Sequence, residues 1–241
     1  MKSATTEPAH GGSARSSPRG DGDYDYRKAF YRDKEVAADY DRHRFRTKAR
    51  RRRNARKWRA IRRALAQTEG VVRVLDVPCG TGRFTDELLE AGYRVIGSDI
   101  SREMMEVWLD GRAAREGLLG FVQSDAERLP FATGAVDCVL SIRFFLHVDS
   151  PARVRILREM KRASRRWIVV DYRHCYTLRF LLWRLRSALG WTRERFERVS
   201  RAQIAREVEE AGLVLRGIVP VEWAFSDKWV VLAEVPGDER P

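Results

Sequence analysis

Residues 71–92 constrain the chain more than any other stretch. Val71, Val72, Val74, Leu75 and Val77 form a short, β-branched apolar run with the length of a buried strand. The run carries Asp76 near its end and passes into a turn with glycines at Gly80 and Gly82. A helical pattern follows from Arg83 to Ala91, and Gly92 stops it at the usual C′ position. Strand, Gly-rich turn and helix together make a nucleotide-type cradle. The glycines let backbone N–H groups approach a ligand, and the helix N-terminus adds unpaired donors with partial positive charge.

Three ligands compete for such a cradle. A triphosphate wants a longer loop closed by Lys-Ser or Lys-Thr, whereas Gly82 is followed by Arg-Phe-Thr. A dinucleotide wants a third small residue where Thr85 stands, so that fingerprint is incomplete. The stretch Asp76, Pro78, Gly80, Gly82 resembles motif I of the class I S-adenosylmethionine (SAM)-dependent methyltransferases, with Pro78 in place of the first glycine. Proline fixes φ and removes one N–H, so close approach at that position must be dispensable.

Two further acids support the resemblance. Asp99, 23 residues beyond Asp76, ends the second expected strand and precedes Ile100. In a doubly wound sheet that position faces the ligand crevice, where a carboxylate can accept from both hydroxyls of a ribose. The competing reading is that Asp99 or Ser101 caps the next helix. After the third strand, Asp125-Ala126-Glu-Arg-Leu-Pro-Phe131 resembles a hallmark of the type 11 methyltransferases. That resemblance implies Asp125 accepting from an adenine amino group, the Ala126 backbone beside the ring, and Asp76 near the methionine end of SAM. Ile100, Met104 or Met105, and Leu129 are expected to wall the ring. The likeness runs over roughly residues 35–235 and includes Val136–Ser141, which resembles motif IV.

Around this motif the chain alternates. Strands are expected at 71–77, 93–98, 119–123, 136–142 and 166–172, with helices at 83–91, 102–115 and 151–162. Ser150 and Pro151 offer an N-cap and an N1 proline. Ser200 and Gln203 read as a capping box for a helix that stops at Gly212. Two closing strands, 213–221 and 228–235, are separated by a short turn and should pair antiparallel. The expected fold is α/β, a doubly wound, seven-stranded, mainly parallel Rossmann-like sheet ending in an antiparallel pair. Residues 1–22 lack the apolar content to fold and read as a disordered tail. Residues 23–66 form an aromatic and basic helical arm, and 67–241 the cofactor domain.

The net charge of +13 is local. Between Arg42 and Arg63 stand 13 Lys or Arg and no acid, and the rest of the chain is balanced at 34 basic against 34 acidic residues. A confined charge points either to a local anionic partner or to a solvated helix face. Cys79, Cys138 and Cys175 are scattered without metal-ligand spacing, so no metal is expected. No stretch approaches the roughly 18–20 apolar residues of a membrane span, and no signal peptide is evident. The expectation is a cytoplasmic protein that can also sit peripherally at the inner membrane face.

Catalytic groups are less defined. Methyl transfer needs in-line positioning, and a base only where the acceptor loses a proton. His147, after strand four, and His174, after strand five, are the base candidates, each with a structural alternative. Arg143, Tyr172 and Tyr40 are candidate substrate contacts, the last in a segment resembling the lead-in that folds over the cofactor in small-molecule methyltransferases. An apolar, Arg-bearing insert near 174–195 reads as a lid or an interfacial helix. These features suggest methyl transfer to a small-molecule or lipid-like acceptor (isoprenoid, quinone or aromatic). The alternatives are an RNA methyltransferase gripping phosphates with residues 42–63, or a non-catalytic SAM-binding regulatory protein.

Overall fold

The computed structural model describes residues 48–109, 115–188, 198–222 and 226–237. The expected tail at residues 1–22, the aromatic half of the expected arm with Tyr40, and part of the expected insert lie outside the described residues. In chain order the elements are α1 (Lys48–Leu65), β1 (Arg73–Asp76), α2 (Arg83–Glu90), β2 (Arg94–Asp99), α3 (Arg102–Leu109) and β3 (Leu118–Gln123). There follow β4 (Val136–Ser141), a 3₁₀ turn (Phe145–His147), α4 (Ser150–Ala163) and β5 (Ser164–Arg173). The chain closes with α5 (Leu178–Ala188), α6 (Arg201–Glu210), β6 (Val214–Pro220) and β7 (Lys228–Glu234).

Seven strands form one sheet in the order β3-β2-β1-β4-β5-β7-β6. The first five pair in parallel, and β7 inserts antiparallel between β5 and β6. This is the expected architecture. Side chains alternate across each strand, and the two faces bury separate clusters. Val74, Val95, Cys138, Leu140, Val169 and Leu232 pack under α1 and α2. Leu75, Val139, Ile168, Val170 and Val231 pack under α4 and α6. The order in which the chain adds strands reverses between β1 and β4, which opens a crevice at their carboxyl ends.

Helix α1 docks through Ala60, Ile61, Ala64 and Leu65, all buried at helical spacing. It lies across β6, β7 and β5, with its direction opposed to that of β5. Just beyond its C-terminus the Glu69 carbonyl accepts from Trp167 Nε1 near the start of β5, while Lys57 reaches Asp171 near the strand's end. Helix α4 is capped by Asp149, whose side chain accepts from the Ala152 amide at 2.9 Å. The expected cap, Ser150, lies inside the helix and donates instead to Glu207 at 2.6 Å. Ser200 does cap α6, accepting from the Gln203 amide at 3.1 Å, but the Gln203 side chain donates to Glu207, so the reciprocal half of the box is not formed.

Candidate cofactor and acceptor site

The crevice at the switch point has a volume of about 1040 Å³, part of it open to solvent. The turn after β1 supplies Pro78, Cys79, Gly80 and Thr81, and the start of α2 supplies Arg83 and Phe84. Asp99, Ile100 and Met104 come from the end of β2 and the start of α3, and Ser124, Asp125 and Ala126 from beyond β3. Ile142, Arg143, Phe144 and His147 close the wall after β4.

The turn is built around its glycines. Gly82 has φ +69°, and a Cβ there would lie 1.9 Å from the Trp108 ring, so neither the backbone nor the packing admits a side chain. Trp108 in turn donates from Nε1 to Asp86 at 3.0 Å, which locks α2 to α3. Gly80 has φ +56°, and a Cβ there would meet no atom within 4 Å. Packing therefore explains Gly82, whereas the free space beside Gly80 belongs to the crevice.

Asp99 holds the two lips together. One carboxylate oxygen accepts from the Gly80 amide at 2.7 Å and the other from the Ser101 amide at 2.9 Å. Burial pushes its pKa up to about 6, against the pull of those backbone donors. Ser101 caps α3, its hydroxyl accepting from the Met104 amide at 3.2 Å. The capping role thus falls to Ser101, with Asp99 at the crevice wall. Asp125 accepts from the Glu127 amide at 3.0 Å and presents the start of its loop, with Ala126, to the same space.

Of the cofactor residues expected from sequence, Pro78, Gly80, Asp99, Ile100, Asp125 and Ala126 converge on the crevice. Asp76 and Gly82 do not line it. Asp76 is buried and accepts from Thr85 Oγ1 at 2.7 Å; burial, with Asp99 nearby, lifts its pKa to about 7 despite that bond. It stabilises the turn from beneath, and Thr85, the residue that breaks the dinucleotide fingerprint, is its partner. Met104 and Ile100 wall the crevice as expected, whereas Leu129 does not line it and packs in the core cluster under α4 and α6.

The acceptor-side candidates separate cleanly. His147 and Arg143 line the crevice. Tyr172 does not: it is buried, its ring packs edge-on against Phe145, and its hydroxyl donates to Glu207 at 3.0 Å. Strand alternation is the reason, because Tyr172 shares the α4/α6 face with Val170. His174 also lies away from the crevice. Its ring stacks on Trp229 at 4.1 Å, with Nε2 3.0 Å from the Ser226 carbonyl and Nδ1 accepting from the Tyr176 amide at 3.1 Å. Burial holds its pKa below the usual histidine value. A ring with both nitrogens engaged and a neutral preference is a structural histidine.

Sequence reasoning missed Arg83, Phe84 and Ile142 in the wall, and a buried ion pair behind it. Lys57 of α1 bonds Asp171, whose other oxygen accepts from the Arg143 amide. Burial draws the Lys57 pKa down to about 8, although Asp171 opposes the shift. Arg143 has φ +68°, a conformation that costs a non-glycine residue about 1–2 kcal/mol. The Asp171 carboxylate secures that backbone and with it the direction from which Arg143 enters the crevice wall.

The sheet order and a crevice rimmed by successive strand-end acids define a class I, Rossmann-like methyltransferase fold. Residues 74–166 match the family model for a methyltransferase domain. Residues 74–166 thus form a methyltransferase domain on that fold. The chain is similar to the demethylmenaquinone methyltransferase of Beutenbergia cavernae, 41% identical over 103 residues, covering 42% of this chain and 40% of that protein. The enzyme of the same name from Renibacterium salmoninarum is 34% identical over 126 residues, 49% of each chain. The chain thus spans less than half the length of these curated relatives. In structure it is similar to the magnesium protoporphyrin IX methyltransferase of Synechocystis PCC 6803 with bound SAH, with a TM-score of 0.65 at 18% identity, covering 86% of this chain and 99% of that one.

Proposed function

We propose that this chain transfers the methyl group of SAM to a small-molecule acceptor of the aromatic, isoprenoid-quinone kind. The observation that carries the cofactor is the pairing of Asp99 with Gly80 across the crevice mouth. A buried carboxylate at a strand end, opposite an open glycine backbone, fits a ribose with two hydroxyl donors. Asp125 and Ala126 would hold the adenine edge, and Ile100 and Met104 its faces. SAM would supply an electrophilic methyl group on a positively charged sulfonium, for which a crevice edged with carboxylates is suited.

The acceptor reading rests on the other half of the wall. Phe84, Ile142 and Phe144 offer apolar surface for a ring, while Arg143 and His147 place two polar groups at the carboxyl end of β4. His147 is the group positioned to take a proton from an acidic ring hydroxyl or carbon. The two relatives that are named demethylmenaquinone methyltransferases favour a quinone-type acceptor over RNA. Peripheral contact with an anionic membrane accords with an acceptor dissolved in lipid. A direct test is methyl-labelled SAM incubated with the protein and a total cell extract, which is then split into organic, RNA, protein and small-molecule fractions. Label in the organic fraction supports the reading. Label in RNA alone, or none anywhere, refutes it.

A further inference from the structure

Two helices beside the crevice present exposed cationic and exposed apolar side chains. Helix α1 has ten Lys or Arg in 18 residues and no acid. Lys57 sits level with Asp171 at the carboxyl end of β5, so Lys48, nine residues earlier, stands about 13 Å further out at 1.5 Å per residue. The first half of α1 thus overhangs the sheet edge on which the crevice opens. Lys48, Arg51, Arg52 and Arg53 are exposed on that overhang.

Helix α5 starts at the same edge, five residues after the end of β5. It too contains no acid. Leu182 and Leu185, three residues apart on one side of the helix, are 53% and 55% exposed, and Arg184 and Arg186 beside them are exposed as well. No other pair of large exposed apolar residues lies within one helix among the described residues.

We propose that the α1 overhang and α5 form a docking surface for an anionic lipid bilayer, which sets the crevice mouth against the membrane. The inference rests on the reading of a lipid-soluble acceptor. Charge complementarity selects the partner: acid-free cationic helices are drawn to negative headgroups and repel a second copy of themselves. Exposed leucines select lipid over nucleic acid. They gain burial at the headgroup–acyl boundary and gain nothing from phosphates. Arginines beside them reach headgroups while the leucines insert, as on other interfacial helices. An acceptor held in the bilayer would then pass into the crevice without crossing water.

The test is flotation of the full chain with vesicles of phosphatidylcholine alone or with 30% phosphatidylglycerol, with SAM binding measured on the same samples. Binding is expected only to the anionic vesicles and should fall steeply with added salt. Replacing Arg51, Arg52 and Arg53 together by Gln should lower the partition coefficient on the order of a hundred-fold, at about five-fold per charge. Leu182→Ser with Leu185→Ser should lower it at least ten-fold while SAM affinity stays unchanged. Failure of the wild type to bind anionic vesicles overturns the proposal. So does binding that ignores the leucines, or tighter, leucine-independent binding to single-stranded RNA. Vesicle binding by a protein that takes up no SAM would leave the docking surface standing and refute the methyltransferase reading.

Discussion

Replacing Lys57 by methionine tests how the basic helix is joined to the crevice. Lys57 and Asp171 are both nearly inaccessible, at 6% and 2% exposure, and bond directly. Methionine keeps the length and most of the volume of the lysine stem but leaves the Asp171 carboxylate buried without its cation, the Arg143 amide still donating to it. Breaking a buried pair from one side costs about 3–5 kcal/mol, because the surviving charge loses its partner. Urea denaturation at pH 7.5 should show that loss. Adding Asp171→Asn should recover much of it, since a neutral amide oxygen can still accept from Arg143. A single-variant loss below about 1 kcal/mol, or a double variant as unstable as the two losses summed, would refute this account of the pair.

Further expectations concern the turn, the core tyrosine and acid sensitivity. Gly82→Ala should destabilise by about 2 kcal/mol or more in thermal unfolding, from positive φ and the clash with Trp108. Tyr172→Phe should cost about 1–2 kcal/mol of stability by removing the bond to Glu207, while leaving the acceptor KM unchanged; a raised KM would return Tyr172 to the site. Asp76 and Asp99, with folded pKa values raised to about 7 and 6, contribute stability that is fully present below about pH 4 and lost as pH rises through those values. Acidic titration should therefore show these two groups opposing the usual acid destabilisation, in the ligand-free protein. SAM affinity should move the other way, falling about ten-fold per unit below pH 6 as Asp99 takes up a proton.

The legible part of the structure was local. Strand ends could be placed because apolar runs terminate at Asp76, Asp99 and Gln123, and topology brings Asp99 and Asp125, at and just beyond the second and third of those ends, to the crevice. The antiparallel tail was legible from two strands with a short turn between them. What sequence could not give depends on distant pairing or on strand phase. Lys57 and Asp171 are 114 residues apart, and although helical spacing puts Lys57 in line with Ala60, Ile61 and Ala64, nothing in the run of cations names its partner. Tyr172 and Asp171 are neighbours in sequence, yet alternation sends one to the α4/α6 core and the other to α1. Asp149 and Ser150 are both good caps, and only the helix start separates them. Thr85 carried a signal that could have been used: three residues into a helix after a glycine turn, its hydroxyl is well placed to reach back to a strand-end acid.

The most direct test of the central claim is titration of the full chain with SAM by calorimetry, for the wild type and Asp99→Ala. One site per chain is expected in the wild type. The variant should bind about ten- to one-hundred-and-fifty-fold more weakly, the equivalent of about 1.5–3 kcal/mol for hydrogen bonds to a charged group. A wild type that binds no SAM, or an Asp99→Ala variant that binds as tightly, would contradict the assignment of this crevice.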